Sequence, residues 1–259
     1  MLILRSDKNF LTRILGTIGE FIIFNYAIFT HLTRIKKRST EILRQMKRIG
    51  YDSLLLISVT SAFTGLVTSV QASYQTSGYI PKSLIGVLVG KSTMIELAPV
   101  LTALVLSGKV GASIAAEIGT MKVSEQLDAL ETMAIDPYDY IYLPRLLAGL
   151  LMVPLLTVYS NFIGIFSAFF LSVFKYGINA YSFFTNMREH FLASDLWGGL
   201  VKALFFGLII TSVGCFAGSK TRGGAEGVGK VATLTVVYSS ILILITDFLV
   251  AALLFGEIK

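Results

Sequence analysis

The sequence is poor in charge, cysteine and histidine, and each scarcity excludes a class of protein. Charged residues make up 15% of its 259 residues, well below the roughly 25% of ordinary soluble domains. A single cysteine, Cys215, excludes an intrachain disulfide framework. The two histidines, His31 and His190, lie far apart with no cysteine or acid at ligand spacing. We therefore expect no disulfide scaffold and no metal site.

Motifs for catalysis and nucleotide binding are missing as well. The sequence has no plausible Ser/His/Asp or Cys/His set and no H-E-x-x-H motif. Residues 224–231 come close to the phosphate-binding loop G-x-x-x-x-G-K-[ST], but Val231 has no hydroxyl for magnesium. This run also lies between two apolar segments, where we expect a flexible cytoplasmic turn. We expect no cofactor on this chain and no enzymatic activity of its own.

Apolar residues, by contrast, are abundant and form long runs. They make up 54% of the sequence, and the mean hydropathy is +0.74. A helix that crosses a membrane needs roughly 20 apolar residues. Five segments meet this length, at 54–73, 97–116, 146–174, 198–218 and 231–255. The pattern predicts an all-α integral membrane protein with five transmembrane helices, the third of which is long enough to tilt or kink around Pro154.

The positive charge is distributed as a topology signal. The net charge is +6, and ten of the 22 basic residues lie in the first 48 positions. With five crossings and the N-terminus inside, sixteen basic residues fall on the inner side and six outside, Lys202 among the latter. This asymmetry predicts a cytoplasmic N-terminus and an external C-terminus. We attribute the excess charge to topology and lipid headgroups and expect no nucleic acid partner.

The N-terminal segment at 10–33 is ambiguous. It is largely apolar but is interrupted by Arg13, Glu20, Asn25 and His31, and a basic run follows it directly. A sixth crossing fits this pattern, and so does a helix that lies in the headgroup plane.

The segment at 117–136 predicts an amphipathic helix on the inner face. Gly119 can end the preceding span, Thr120 can cap a new helix, and Asp136 with Pro137 can stop it. Its apolar row is Val123, Leu127, Leu130 and Ala134, and its acidic row is Glu125, Asp128 and Glu131. The net charge from 117 to 136 is −4, which suits a basic groove on a soluble partner. On the charge pattern alone, a solvated helix that only joins two spans is the favoured interpretation.

Polar residues within or beside the spans need an explanation, because charge in the bilayer is costly. Glu96 is either an interfacial acid or part of a lipid pocket, and Asp247 favours a hydrogen bond between helices. At the end of the first span, Leu66, Val67 and Val70 give way to Gln71, Tyr74 and Tyr79. This mixture suits the rim of a lipid cavity or an ordinary aromatic belt. Two pairs of small residues, Gly86 with Gly90 and Gly214 with Gly218, predict close helix packing.

Several motifs together resemble the MlaE-type permease family. They are ELAPV at 96–100, SGKVGAS at 107–113, AEIGTM at 116–121, EQLDAL at 125–130, AIDP at 134–137, PR at 144–145 and GGAEGVG at 223–229. Members are the membrane subunits of ABC transporters that work with MCE-domain proteins to move lipids between bacterial envelope membranes, with relatives in the chloroplast envelope. The resemblance covers roughly residues 40 to 256. The chain departs from the family pattern at three positions. Many relatives have arginine before a Glu-Leu-Gly-Pro motif, where this chain has Ile95 and then Ala98 in place of the glycine, and arginine in a later Ala-Gly-Arg motif, where it has Lys109.

The resemblance implies a fold, an assembly and two sets of functional residues. It implies an interfacial N-terminal segment at 1–48 and a transmembrane permease domain at 49–259 that pairs with a second copy of itself. A coupling helix would dock into a cytoplasmic ABC ATPase dimer through Glu117, Gly119, Thr120, Met121, Glu125, Gln126, Leu127, Asp128 and Leu130. A cavity near the outer end of the first span would bind phospholipids through Leu66, Val70, Gln71, Tyr74, Tyr79 and Glu96.

The expected function is therefore that of a permease subunit in an ATP-driven phospholipid transporter of the bacterial inner membrane. Its further partner would be an external MCE-domain protein, and its C-terminus would be periplasmic. One alternative is a secondary transporter driven by an ion gradient, with Glu96 or Asp247 as the coupling acid. A membrane scaffold without transport activity is a third hypothesis.

Overall fold

The computed structural model describes residues 4–76, 81 and 84–255, and this part of the chain is helical. Short 3₁₀ and π turns join the α-helices. These are α1 (Leu4–Thr30), α2 (Ser39–Gly50), α3 (Leu54–Thr76), α4 (Ile85–Ser92), α5 (Ala98–Leu106), α6 (Ala112–Val123), α7 (Gln126–Thr132), α8 (Leu143–Tyr176), α9 (Ala180–Glu189), α10 (Ala193–Ser219) and α11 (Gly224–Phe255).

Five helical rods are long and apolar enough to cross a membrane, so the chain is a multi-pass membrane protein of the predicted all-α class. They are Ser39–Thr76, Ile85–Val123, Tyr138–Tyr176, Ala193–Ser219 and Gly224–Leu254. The first two are built from shorter helices, because a 3₁₀ turn joins α2 to α3 and π turns join α4, α5 and α6. Helix α8 continues through Pro154 for 34 residues.

Helix α1 has one face bound to the protein and one face free. Phe24 and Ile28 are buried, and the Phe24 ring lies 5.0 Å from that of Tyr142 and 5.5 Å from that of Phe216. Its opposite face exposes Leu15, Ile22, Ile23 and Tyr26. The apolar stretch of α1, Leu15–Thr30, is shorter than the five rods. The interfacial location of α1 stays a prediction, and this two-sided character suits it.

Glycine sets how closely the rods approach one another. A Cβ at Gly65 of α3 would overlap the backbone carbonyl of Gly164 in α8, and one at Gly207 of α10 would lie 2.5 Å from the carbonyl oxygen of Gly149 in α8. Helix α8 is therefore in backbone contact with a neighbour on two sides. Such crossings suit a bilayer, where packing rather than water exclusion holds helices together.

The two predicted small-residue pairs are also packing positions, as expected. A Cβ at Gly86 would lie 2.6 Å from the carbonyl oxygen of Phe183, and a Cβ at Gly90 would lie 2.9 Å from the Met187 sulfur, both in α9. Gly214 and Gly218 of α10 face α6, where a Cβ at Gly218 would lie 2.7 Å from Ile118.

Substitution of Gly65 by alanine should destabilise the fold by about 1–3 kcal/mol, because the new methyl meets backbone that cannot rotate away. Gly229 in α11 offers a matched control, since nothing lies within 4 Å of its Cβ position. There, alanine should be neutral or stabilise the helix by about 0.5–1 kcal/mol. Denaturant titration in detergent would compare the two variants, and equal stabilities would show that the α3–α8 crossing is not tight.

Candidate functional site

The end of helix α6 that leads into α7 differs from the sequence prediction. The helix runs unbroken through Gly119 and Thr120 to Val123, so the prediction that Gly119 ends the span and Thr120 caps a new helix is wrong. The Thr120 hydroxyl donates to the carbonyl of Ala116 within α6. Gly119 instead allows Thr221 to pack closely against α6, because a Cβ at position 119 would lie 2.7 Å from the Thr221 hydroxyl. Close packing against the α10–α11 turn outweighs the low helix propensity of glycine.

The helix breaks instead at Ser124 and Glu125. Glu125 adopts a left-handed conformation with φ 58°, and the Ser124 hydroxyl donates to the carbonyl of Thr120. Helix α7 follows at Gln126–Thr132. It ends before Asp136, in contrast to the prediction, because Ala134 is also left-handed with φ 57°.

Helix α7 keeps only the centre of the predicted apolar row: Val123 is 39% exposed, and Ala134 is exposed and left-handed, so the prediction that these two residues join the buried face is wrong. Leu127 is buried, and Leu130 and Met121 pack partly buried against the same core. Gln126 and the acidic row, Glu125, Asp128 and Glu131, are exposed. The Lys122 ammonium lies 2.7 Å from the Asp128 carboxylate, which ties the end of α6 to α7. The buried side of the segment is thus packed against the membrane helices, and its acidic side chains face solvent.

A cavity of about 480 Å³ lies beside α7, between α1 and the turn that joins α10 to α11. Its charged lining residues are Glu20, Lys122, Asp128, Glu131, Lys220 and Arg222. The turn itself is shorter than predicted, because α11 already begins at Gly224. Gly223 and Gly224 have φ values of 90° and 67°, which only glycine adopts readily.

Glu117 contacts side chains of two other helices near the end of α6. Its carboxylate lies 2.5 Å from the Arg48 guanidinium of α2 and 2.8 Å from that of Arg145 in α8. The Arg145 side chain is only 7% exposed, and it also donates to the carbonyl of Ile141. Glu117 therefore holds α6 in place, whereas the acidic row of α7 faces outward. The sequence predicts Arg145 as an inner basic residue and as part of a family motif, but it does not predict this ion pair.

A second charged group lies inside the helix bundle. The Lys202 ammonium of α10 lies 2.5 Å from the Glu96 carboxylate and 2.9 Å from that of Asp247 in α11. The Lys202 side chain is 0% exposed, so its assignment to the external loops was wrong. Asp247 contacts a neighbouring helix, but through an ion pair with Lys202 rather than the predicted hydrogen bond, because its Oδ1 has no hydrogen-bond partner among the described residues. Two acids within apolar spans were the signal for a buried cation, because an embedded charge needs a partner.

The backbone around Glu96 is locally irregular. Glu96 lies in the π turn Thr93–Leu97, which interrupts the second rod. Turns of this kind recur at functional sites because they re-aim side chains out of the regular helical register. Here the turn places one carboxylate against α10, where Lys202 balances part of the charge of two acids.

The predicted lipid-contacting row lies along the C-terminal half of α3. Leu66 is half-buried, whereas Val70, Gln71 and Tyr74 are exposed. Tyr74 is 82% exposed. Tyr79 lies outside the described residues. The row is available for contact with lipid or with another protein. The ion-pair partner of Glu96, Lys202, belongs to α10 and not to this row.

The chain is similar to known permease proteins over most of its length. Residues 42–253 match the family described as Permease MlaE. A probable ABC transporter permease protein of Rickettsia felis is 38% identical over 239 residues, which is 92% of each chain. A probable ABC transporter permease protein of Synechocystis is 40% identical over 230 residues, 88% of this chain and 87% of its own. The intermembrane phospholipid transport system permease protein MlaE of Haemophilus influenzae is 35% identical over 245 residues, 94% and 93% of the two chains.

Proposed function

The chain belongs to the MlaE permease family, and from this premise we propose that it is the membrane subunit of an ATP-driven phospholipid transporter. Two copies would form a homodimer in the bacterial inner membrane and move phospholipids between envelope membranes. A separate cytoplasmic ATPase dimer would bind and hydrolyse ATP, and an external MCE-domain protein would exchange lipid with the permease. The N-terminus would be cytoplasmic and the C-terminus periplasmic.

The observation that carries the proposal is the form of helix α7. Leu127 anchors it to the core, while Glu125, Asp128 and Glu131 are exposed. A bare connecting loop needs no such arrangement. A short acidic helix whose apolar side is packed against the core suits a positively charged groove on a partner, because complementary charge guides and orients docking.

Motion of an ATPase dimer would reach the membrane helices through α7 and the end of α6. The coupling set comprises Glu117, Gly119, Thr120, Met121, Glu125, Gln126, Leu127, Asp128 and Leu130. Glu117 lies within the ion-paired group that joins α6 to α2 and α8. Displacement of α7 would therefore act on three helices together rather than on one loop.

The lipid would contact the exposed outer half of α3 and the neighbouring copy of the chain. Leu66 and Val70 offer apolar contact for acyl chains, whereas Gln71 and Tyr74 offer polar atoms to a headgroup. We include Tyr79 and Glu96 in the same proposed set. A cavity closed by two subunits would shelter the acyl chains from water, which the single chain cannot do alone.

Charge reversal on α7 tests the docking role. The double variant Glu125→Lys and Asp128→Lys should reduce copurification of the ATPase with the full chain by at least about tenfold, because attraction at the interface becomes repulsion. Glu189→Lys serves as the control, since Glu189 is exposed on α9, away from α7. Retention of the ATPase and of lipid transport by the double variant would contradict the proposal.

The gradient-driven alternative finds less support in the charged group within the bundle. Both candidate coupling acids, Glu96 and Asp247, already lie within 2.9 Å of the Lys202 ammonium. The ammonium at this position pairs with the two carboxylates without an ion from solution. The alternative predicts transport that stops when the gradient is dissipated and that needs no ATPase.

A further inference from the structure

A cavity with a basic lining lies at the inner end of the first rod, away from the proposed lipid path. Its volume is about 440 Å³, and helices α2, α6 and α8 contribute to it. The basic side chains are Arg44, Lys47, Arg48 and Arg145, and the acidic ones are Glu41, Asp52 and Glu117.

Ion pairing leaves two of these cations available. Glu117 already engages Arg48 and Arg145. Arg44 approaches Glu41 only to 3.9 Å, and its side chain is 81% exposed. Lys47 is exposed and makes no ion pair within residues 4–76, 81 and 84–255. Arg44 and Lys47 can therefore accept an anion without the loss of a short pair.

An apolar groove adjoins the cavity on the side of α2 and α8 that faces away from the core of the bundle. It has a volume of about 420 Å³, and α2 and α3 form one wall while α8 forms the other. Its apolar lining includes Leu43, Met46, Tyr51, Met152 and Leu155.

Two features suit this groove to a flexible chain. Gly50 lets the Met152 side chain approach α2, since a Cβ there would overlap it. Leu43, Tyr51 and Leu155 are more than half exposed. An apolar surface of this kind on a membrane protein is covered by acyl chains.

Lys47 joins the two surfaces because it lines both the basic cavity and the apolar groove. A lysine with an apolar stem and a charged end is suited to such a boundary. The molecule that matches this arrangement has an anionic head and a long apolar tail attached to it. Basic pockets at the inner ends of membrane helices bind anionic lipid headgroups in this way.

We propose that the inner ends of α2 and α8 form a binding site for an anionic glycerophospholipid of the surrounding leaflet. Arg44 and Lys47 bind its phosphate, and one acyl chain lies in the groove between α2 and α8. This site is separate from the outer row on α3. Its occupant bridges the first and third rods beside the Glu117 group and so favours the packed arrangement of α2 against α8.

Photocrosslinking in nanodiscs tests the site directly. The full-length chain is reconstituted with phosphatidylglycerol that carries a diazirine in one acyl chain, and crosslinked peptides are mapped by mass spectrometry. Crosslinks should concentrate at residues 152–159 and exceed those from the matched phosphatidylcholine probe about tenfold. The double variant Arg44→Gln and Lys47→Gln should lower the phosphatidylglycerol yield to the phosphatidylcholine level, because each cation near the surface contributes strongly to anion binding.

Three controls separate the head site from the groove. Lys230→Gln removes an exposed cation outside the cavity and should leave the crosslinking yield unchanged. Leu155→Trp fills the groove and should abolish crosslinking at 152–159. Leu151→Trp, at an exposed position one turn earlier that does not line the groove, should retain it.

Equal yields from the two lipids, or an unchanged yield in the Arg44 and Lys47 variant, would overturn the proposal. Competition by glycerol phosphate without acyl chains would overturn the groove component, because binding would then need only the headgroup. Crosslinks confined to α3 would show that the lipid occupies the outer row alone.

Discussion

Replacement of Lys202 by methionine should destabilise the helix bundle by about 3–5 kcal/mol, the usual cost of leaving a buried charge without its partner. Lys202 is fully buried, and it is the cation that faces both Glu96 and Asp247. Its loss leaves without a cation the carboxylates of Asp247, whose side chain is 20% exposed, and of Glu96, whose side chain is 43% exposed. The Cys215 thiol offers a direct measurement, because it is the sole cysteine and is 0% exposed on the same helix. Maleimide labelling of the variant should begin at a lower denaturant concentration.

Two further variants distinguish charge compensation from simple packing. The triple variant Lys202→Met, Glu96→Gln and Asp247→Asn should recover most of the stability, because no uncompensated charge remains. Lys220→Met removes one member of an exposed pair with Glu20 and should cost less than about 1 kcal/mol. Loss of stability that the triple variant fails to recover would show that uncompensated charge is not the cause of the destabilisation.

The second large effect is expected at Glu117. Its change to glutamine should cost about 2–4 kcal/mol, since Arg145 is nearly buried and would lose its counter-charge. The same change should loosen α6 from α2 and α8 and so raise hydrogen exchange in α6. Hydrogen–deuterium exchange of the full chain in nanodiscs measures this directly.

Glu131→Gln is the matched control for that measurement. Glu131 is exposed on α7, a short distance along the chain, and its neutralisation should leave exchange in α6 unchanged. If both variants exchange alike, the ion pairs of Glu117 do not hold the inner ends of the helices together.

The membrane architecture was predictable from the sequence because the bilayer imposes it. Each span must satisfy its backbone hydrogen bonds internally, so long apolar runs can only be helices. The five crossings follow from that rule, and the glycine packing pairs follow from the close helix contacts that a bilayer requires. The boundary between α6 and α7 did not, because Gly119 serves close packing against Thr221 rather than chain termination. Local helix signals cannot detect a contact made by residues a hundred positions apart.

The charged groups show the same limit more sharply. Glu96 and Asp247 were identified as costly within the membrane, but Lys202 was counted as external because it lies near the end of an apolar segment. Its role depends on how α10 is rotated against α11 and against the π turn at Thr93–Leu97. That rotation is a property of the packed bundle. The exposure of Asp128 and Glu131, in contrast, followed from helical periodicity within α7, whereas Glu125 lies at the left-handed break before the helix.

ATP dependence of lipid transfer is the most direct test of the proposed function. The chain would be reconstituted with its copurified partners in proteoliposomes, and movement of a fluorescent phospholipid to acceptor vesicles would be followed. Transfer should require ATP, stop when hydrolysis is blocked and persist when ionophores dissipate the proton and sodium gradients. Transfer that continues without any nucleotide and ends with the ionophores would contradict an ATP-driven permease and favour a gradient-driven carrier.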